Sequence, residues 1–133
     1  MSASAEEIFE TVLGETFSKA SKAHIAGDVK LAENLYNEIL MVEPMNAEVI
    51  HNLGILALQD GRTQIALSSL EKALEINPNK ENFWLSYINA LIDEKLFQTA
   101  RETIDEAKRL GVSKDNLRKW EASLSSLDTI SNL

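Results

Sequence analysis

The sequence predicts an all-α fold of about seven helices, most of them in antiparallel pairs. Two observations predict it: a repeat of 34 residues, and small or turn-forming residues at the same places in the copies. A shift of 34 residues superimposes Ala32 on Ala66 and Ala100, and Gly27 on Gly61. A period of this length is typical of stacked helix pairs, which bury their apolar faces against their neighbours. The three copies occupy residues 13–46, 47–80 and 81–114.

Within each copy the pattern predicts two helices joined by a tight turn. Gly61 separates two apolar-periodic stretches, and a tight turn there favours a residue that tolerates left-handed backbone angles. Pro44 and Pro78 follow the second helix of their copies, which they cannot continue. Gly54 and Ala66 are small enough for two paired helices to approach closely. The predicted helices are 5–26, 29–41, 47–60, 63–76, 81–94, 97–110 and about 114–128.

The middle copy combines these landmarks in one run. Its residues are Asn52-Leu53-Gly54, Ala57, Gly61-Arg62, Ala66, Leu70, Ala73-Leu74 and Pro78. This run resembles the tetratricopeptide repeat, and in the third copy Trp84 stands in that family's tryptophan column. The resemblance implies a right-handed α-solenoid, the tetratricopeptide superhelix. In it the first helices of the pairs line a concave groove and the second helices form the convex back.

The last helix differs from the repeats. Residues 115–133 carry an apolar stripe at helical spacing among polar residues, formed by Leu117, Trp120, Leu124 and Leu127. The stripe resembles the helix that closes such arrays by covering the apolar end of the last pair. We therefore expect one domain overall, made of three repeats, a capping helix and a short tail.

An N-terminal helical extension, residues 1–12, precedes the first copy. Ser4 and Glu7 match a capping box, so a helix is predicted to begin at Ala5. An apolar stripe follows, formed by Ile8, Phe9, Val12 and Leu13. One interpretation is that the stripe lengthens the first helix and packs on the helix that begins near Asp28. The other is that it contacts a second copy of the chain, giving a homodimer, or folds over the groove.

Composition and charge narrow the class of partner. The chain has 21 acidic and 13 basic residues and a net charge of −8, so we expect it to repel nucleic acid and anionic membranes. No apolar stretch approaches the roughly 20 residues that span a bilayer. The first residues lack the basic start and apolar run of a secretory signal. We expect a cytoplasmic protein whose partner is a protein or peptide.

Few residues are suited to catalysis or metal binding. The chain has no cysteine, and its two histidines, His24 and His51, have no fixed carboxylate partner. Two such histidines make a poor metal site, and polar groove residues are the better interpretation. The carboxylates are spread over helix exteriors, and no pair is marked out for acid–base work. We expect no catalytic residues, no enzyme activity, no metal and no cofactor.

The resemblance also implies which residues line the groove. Carried over to this sequence, they are Phe17, Ser18, Ser21, His24, Ile25, Glu48, His51, Asn52, Ile55, Leu58, Gln59, Asn82, Leu85, Ser86, Asn89, Ile92 and Asp93. The set contains no lysine or arginine, whereas chaperone-binding members of the family clamp an acidic tail with such residues. Only Asn52 matches that clamp, so an acidic-tail adaptor is not expected.

Asn52 also resembles a peptide-binding residue of another branch of the family. It matches the asparagine ladder in the repeats of the O-linked N-acetylglucosamine transferase, which grips the backbone of extended peptides. An amide both donates and accepts hydrogen bonds, which suits recognition of a peptide backbone. The alternative is that Asn52 is solvated or pairs with a neighbouring helix.

The leading functional hypothesis is a protein–protein interaction module that binds a peptide or helix of a partner in the concave groove. One alternative is a self-associating assembly scaffold. Another is the accessory arm of a larger enzyme, because the run Phe83-Trp84-Leu85-Ser86-Tyr87 is similar to bacterial repeat regions that precede glycosyltransferase-like or sulfotransferase-like domains. In that case this chain would position substrates rather than transform them.

Overall fold

The computed structural model describes residues 2–131, with side chains described as far as residue 127. Seven helices follow one another: α1 (Ala5–Ile25), α2 (Val29–Val42), α3 (Ala47–Gln59), α4 (Thr63–Ile76), α5 (Glu81–Asp93), α6 (Phe97–Arg109) and α7 (Lys114–Ser131). The predicted all-α class is confirmed, and the ends of the first six helices lie within one residue of their predicted positions. Residues 1, 132 and 133 of the predicted extension and tail lie outside the described residues.

Side-chain caps fix the starts of the first three helices. Ser4 Oγ accepts a hydrogen bond from the Glu7 N–H at 3.1 Å, and the Ser4 N–H donates to Glu7 Oε2 at 3.0 Å. This is the predicted capping box, and it satisfies two backbone donors at the start of α1. Asp28 and Asn46 each accept from the backbone N–H three residues later, which caps α2 and α3.

The turns within the three helix pairs share one backbone conformation. Gly27 and Gly61 have φ angles of 80° and 76°, the left-handed region that glycine adopts without a steric cost. Lys95 occupies the corresponding place in the third copy and adopts φ 62°. The third turn therefore keeps the geometry of the other two although its residue is not glycine, at a strain of about 1–2 kcal/mol.

The helices pack as consecutive antiparallel pairs, α1 with α2, α3 with α4 and α5 with α6, and α7 packs on α5 and α6. We call α1, α3 and α5 the first helices, and α7 lies where a fourth would follow. Small and large apolar residues form two core clusters. The first cluster joins α1, α2 and α3; the second extends from α3 to α7 and includes both tryptophans, Trp84 and Trp120.

Gly54 allows α3 and α4 to approach each other closely. A Cβ atom at Gly54 would lie 2.9 Å from Leu70 Cδ2, 3.0 Å from Leu70 Cγ and 3.3 Å from the Ala66 carbonyl oxygen. Both neighbours are completely buried, so neither can move without disturbing the core. The glycine is therefore required by packing, because its φ angle is not in the left-handed region.

Gly54→Ala is expected to lower the free energy of unfolding by about 1 kcal/mol. Overpacking costs about 1–3 kcal/mol, and the better helix propensity of alanine returns about 1 kcal/mol of that loss. Gly14→Ala is the matched control, because Gly14 lies within α1 and a Cβ there would meet nothing within 4 Å. The control should be more stable than wild type by about 1 kcal/mol. Urea unfolding measures the free energy of unfolding of both variants. If both substitutions change it in the same direction, the packing argument is wrong.

Candidate binding groove

Three hydrogen bonds join residues 35 positions apart on successive first helices and α7. They are His24 to Gln59, His51 to Ser86, and Asn116 to Glu81. The equal spacing shows that the same face of each helix meets the next helix in the same register. These polar contacts hold α1, α3, α5 and α7 side by side, as the predicted groove requires.

His24 connects the two helices of the first pair to α3. Its Nε2 lies 3.1 Å from Gln59 Oε1, and its Nδ1 lies 3.3 Å from the Tyr36 hydroxyl oxygen. An amide oxygen only accepts, so Nε2 carries the proton and Nδ1 accepts from the tyrosine hydroxyl. The Gln59 oxygen is therefore occupied, and its amide nitrogen remains a donor.

His51 lies between α3 and α5 and is only 8% exposed. Its ring stacks on Phe83, with centroids 4.7 Å apart and an interplanar angle of 23°. Nδ1 lies 3.2 Å from Asn52 Oδ1, and Nε2 lies 2.8 Å from Ser86 Oγ. Nδ1 therefore donates to Asn52, and Nε2 accepts from the Ser86 hydroxyl.

Burial lowers the pKa of His51 below its ordinary value of 6.5, while the Asn52 hydrogen bond and the charge of Glu48 oppose that shift. The desolvation of the ring dominates, so the neutral form is favoured at neutral pH. A neutral ring matches the observed pattern, because Nε2 must be unprotonated to accept from Ser86. His51 thus acts as a fixed support that orients the Asn52 amide.

One pocket of about 360 Å³ opens between α1 and α3. We call it the groove pocket, and it is lined by Ser21, His24, Ile25, Tyr36, Asn52 and Gln59. Five of these residues are among those predicted for the groove. Asn52 and Gln59 present the same chemistry, because each amide oxygen accepts from a histidine and each amide nitrogen makes no further hydrogen bond with the described residues. The pocket therefore offers two N–H donor groups.

Other predicted groove residues lie outside the groove pocket. Phe17 and Glu48 line a second pocket of about 250 Å³, which we call the α1 pocket, together with Glu10, Leu13, Gly14, Ile39, Glu43 and Asn46. On α3, Ile55 is half-buried, as are Leu85 and Ser86 on α5. Three polar residues of α5 are exposed: Asn82, Asn89 and Asp93.

The N-terminal stripe divides into two parts. Leu13 is half-buried and packs on the first cluster. Ile8, Phe9 and Val12 are 54%, 45% and 52% exposed and belong to neither cluster. The extension therefore lengthens α1, while most of its apolar surface stays uncovered by the described residues.

Two residues of the site were missed by the sequence interpretation. Tyr36 comes from α2, a second helix, yet its hydroxyl reaches His24 and its ring lines the groove pocket. Leu70 and Ile104 occupy the equivalent positions in the other two copies. A tyrosine at a position that is otherwise aliphatic could have indicated that its hydroxyl has a polar partner. Phe83 was also missed, and no sequence pattern indicated that it would cover His51.

Within the described part of the chain, no helix combines the length and hydropathy needed to cross a membrane. The same residues contain no group of three or more histidines and carboxylates arranged to hold a metal ion.

Comparison with known proteins identifies the repeat. Residues 57–113 match the family model of the tetratricopeptide repeat. The chain is also 25% identical over 79 residues to the transcription factor tau 131 kDa subunit of Saccharomyces cerevisiae. That stretch covers 59% of this chain but only 8% of the yeast protein, so most of the yeast protein has no counterpart here.

Solved structures share the arrangement of helices. The tetratricopeptide repeat domain of Sgt2 from Aspergillus fumigatus superimposes with a TM-score of 0.76 at 20% identity, over 91% of this chain and 82% of that chain. The type III secretion chaperone SycD of Yersinia enterocolitica, solved with a peptide of the translocator YopD, gives a TM-score of 0.72 at 16% identity. It covers 91% of this chain and 93% of that chain. At these identities the likeness concerns the fold, and the resemblance to glycosyltransferase-like and sulfotransferase-like regions stays a prediction.

Residues 57–113 match the tetratricopeptide repeat, and the 34-residue period and the helix arrangement that the described chain shares with solved tetratricopeptide repeat domains agree with that match.

Proposed function

We propose that this domain is a protein-binding module that holds a peptide or helix of a partner protein in the groove formed by α1, α3 and α5. The observation that carries the proposal is the groove pocket, where Asn52 and Gln59 are both oriented by histidines so that their amide nitrogens can donate. A structural neighbour supports binding in general, because SycD, which shares the fold, was solved with a peptide of its translocator.

The chemistry of the groove pocket favours carbonyl oxygens as the recognised groups. An extended peptide exposes backbone carbonyls that neither a strand nor a helix has satisfied, and two fixed amide donors complement them. Ile55 and Leu85 provide half-buried apolar surface nearby. Such a lining recognises a peptide by shape and backbone hydrogen bonds more than by charge.

We also propose that the domain acts by binding alone, without catalysis or a cofactor. The ring nitrogens of His24 and His51 are all engaged by neutral partners in hydrogen bonds that orient the groove. His51 is also only 8% exposed and stacks on Phe83, so its ring has little access to a substrate. The net charge of −8 supports a protein partner over nucleic acid or an anionic membrane.

A peptide-display selection on the immobilised domain tests the groove. Peptides selected on wild type should bind an Asn52→Ala/Gln59→Ala variant about tenfold more weakly or worse, because two hydrogen bonds of about 0.5–1.5 kcal/mol each are lost. The matched control is Asn34→Ala/Gln64→Ala, which removes one asparagine and one glutamine from exposed positions on second helices. Fluorescence anisotropy gives the Kd values.

The control variant should bind the selected peptides as wild type does. If all three proteins bind with the same Kd, the amide pair does not recognise the peptide and the proposed role of the groove pocket is wrong. Thermal unfolding of each variant accompanies the binding data, so that a loss of folding is not mistaken for a loss of contact.

A further inference from the structure

The exposed apolar surface of the domain is concentrated at its N-terminal end. Eleven large hydrophobic side chains are exposed among those described, and eight of them belong to α1, α2 or the turn after α2. Those eight are Ile8, Phe9, Val12, Ile25, Leu31, Met41, Val42 and Met45. At the opposite end α7 covers the last pair, so the two ends of the array are not equivalent.

The N-terminal half of α1 provides the most continuous part of this surface. α1 has 21 residues whereas α3 and α5 have 13 each, so its start extends beyond the length of the other first helices. At 100° per residue, Ile8, Val12 and Phe9 form one apolar arc that continues into Leu13. Leu13 ends this arc and also lines the α1 pocket, which lies on the side of α1 away from Ile8 and Val12.

The charged side chains beside this arc are acidic: at 100° per residue Glu15 lies next to Ile8 and Glu6 lies next to Leu13. Residues 1–18 contain four glutamates, at positions 6, 7, 10 and 15, and no lysine or arginine. An apolar surface with an acidic rim complements an amphipathic helix that carries basic residues on both sides of its apolar stripe.

We propose that the N-terminal half of α1 binds a basic amphipathic helix of a partner protein. Ile8, Phe9 and Val12 contact the apolar stripe of that helix, and the glutamates pair with its lysines or arginines. A second copy of this chain fits the same surface poorly. Two apposed N-terminal halves would bring four glutamates of one copy against four of the other, with no cation of residues 1–18 between them.

Two labelled synthetic helical peptides with the same leucine stripe, one flanked by lysines and one by glutamates, test the proposal with the full chain. We expect the lysine-flanked peptide to bind with a Kd at least about tenfold lower. Ile8→Ser/Val12→Ser should raise that Kd by about tenfold, because apolar contact area is lost. Glu6→Gln/Glu15→Gln should raise it about threefold and reduce its dependence on salt.

Ile65→Ser is the matched control, because Ile65 on α4 is 55% exposed and Ile8 is 54% exposed. It should leave the Kd unchanged. Equal binding of the two peptides, or a Kd that Ile8→Ser/Val12→Ser does not alter, would overturn the proposal. Light scattering provides a further decisive result: a wild-type dimer that Ile8→Ser/Val12→Ser converts to a monomer would assign this surface to a second copy.

Discussion

Phe83→Ala is expected to lower the free energy of unfolding by about 3–5 kcal/mol. Phe83 is 1% exposed, lies in the second cluster and stacks on His51, so its removal leaves a cavity between α3 and α5. Few other contacts join these two helices directly, and the packing around the cavity is therefore unable to compensate fully. Urea unfolding followed by circular dichroism measures the change.

Phe9→Ala is the control for this substitution. It removes the same side chain from a position that is 45% exposed and outside both clusters, and surface changes of this kind stay within about 0.5 kcal/mol. If the free energy of unfolding of Phe83→Ala lies within about 1 kcal/mol of the wild-type value, Phe83 does not hold α5 against α3, and the account of the second cluster is wrong.

The same substitution connects stability with binding. His51 keeps the Asn52 amide in place through the Nδ1 hydrogen bond, and Phe83 keeps the His51 ring in place. Loss of the stack frees the ring, so the amide of Asn52 is no longer preorganised in the groove pocket. Peptides selected on the groove should therefore bind Phe83→Ala more weakly even under conditions where the variant is folded.

The helices could be predicted from sequence because their causes are local. Ser4, Asp28 and Asn46 cap helices through bonds to residues three positions away. The turn at Gly61 requires a backbone angle that few residues adopt. The repeat extends this reasoning to Lys95, which aligns with Gly27 and Gly61. It adopts the same turn geometry, although lysine does not favour a positive φ angle.

The site could be predicted only in part, because its geometry depends on contacts between repeats. Register places His51 and Asn52 on the groove side of α3, but it does not show that Phe83 of the next pair covers the histidine. The contribution of Tyr36 likewise depends on a hydroxyl that crosses from α2 to His24. A one-dimensional pattern gives the face of a helix, whereas the partner of a side chain is set in three dimensions.

The N-terminal stripe also shows that sequence periodicity predicts a helix but not the partner of its apolar face. Its amphipathic spacing predicts a helix, and α1 does begin at Ala5. Whether the apolar face is covered depends on a neighbouring element, and α2 is too short to reach Ile8 and Val12, which stay about half exposed. Periodicity therefore identifies a surface that needs a partner without saying whether the chain itself supplies one.

Leu117→Ala in α7 is expected to lower the free energy of unfolding by about 2–5 kcal/mol. Leu117 is completely buried, and with Trp120 and Leu124 it packs on the apolar surface of α5 and α6 at the end of the array. Leu110→Ala is the matched control, because Leu110 is 56% exposed and should change stability by less than about 0.5 kcal/mol. Urea unfolding of the two variants gives the comparison.

Because α7 lies at the end of the array, we also expect the effect of Leu117→Ala to differ between the helices. In stacked repeats each unit contacts only its neighbours, so a weakened terminal helix opens before the rest of the chain. Amide hydrogen exchange in Leu117→Ala should therefore accelerate most in α7, less in α5 and α6, and least in α1 and α2, which lie farthest from α7 in the series of packed helices. Equal acceleration in all helices would mean that the domain opens as one cooperative unit and that α7 is part of its core rather than a cap.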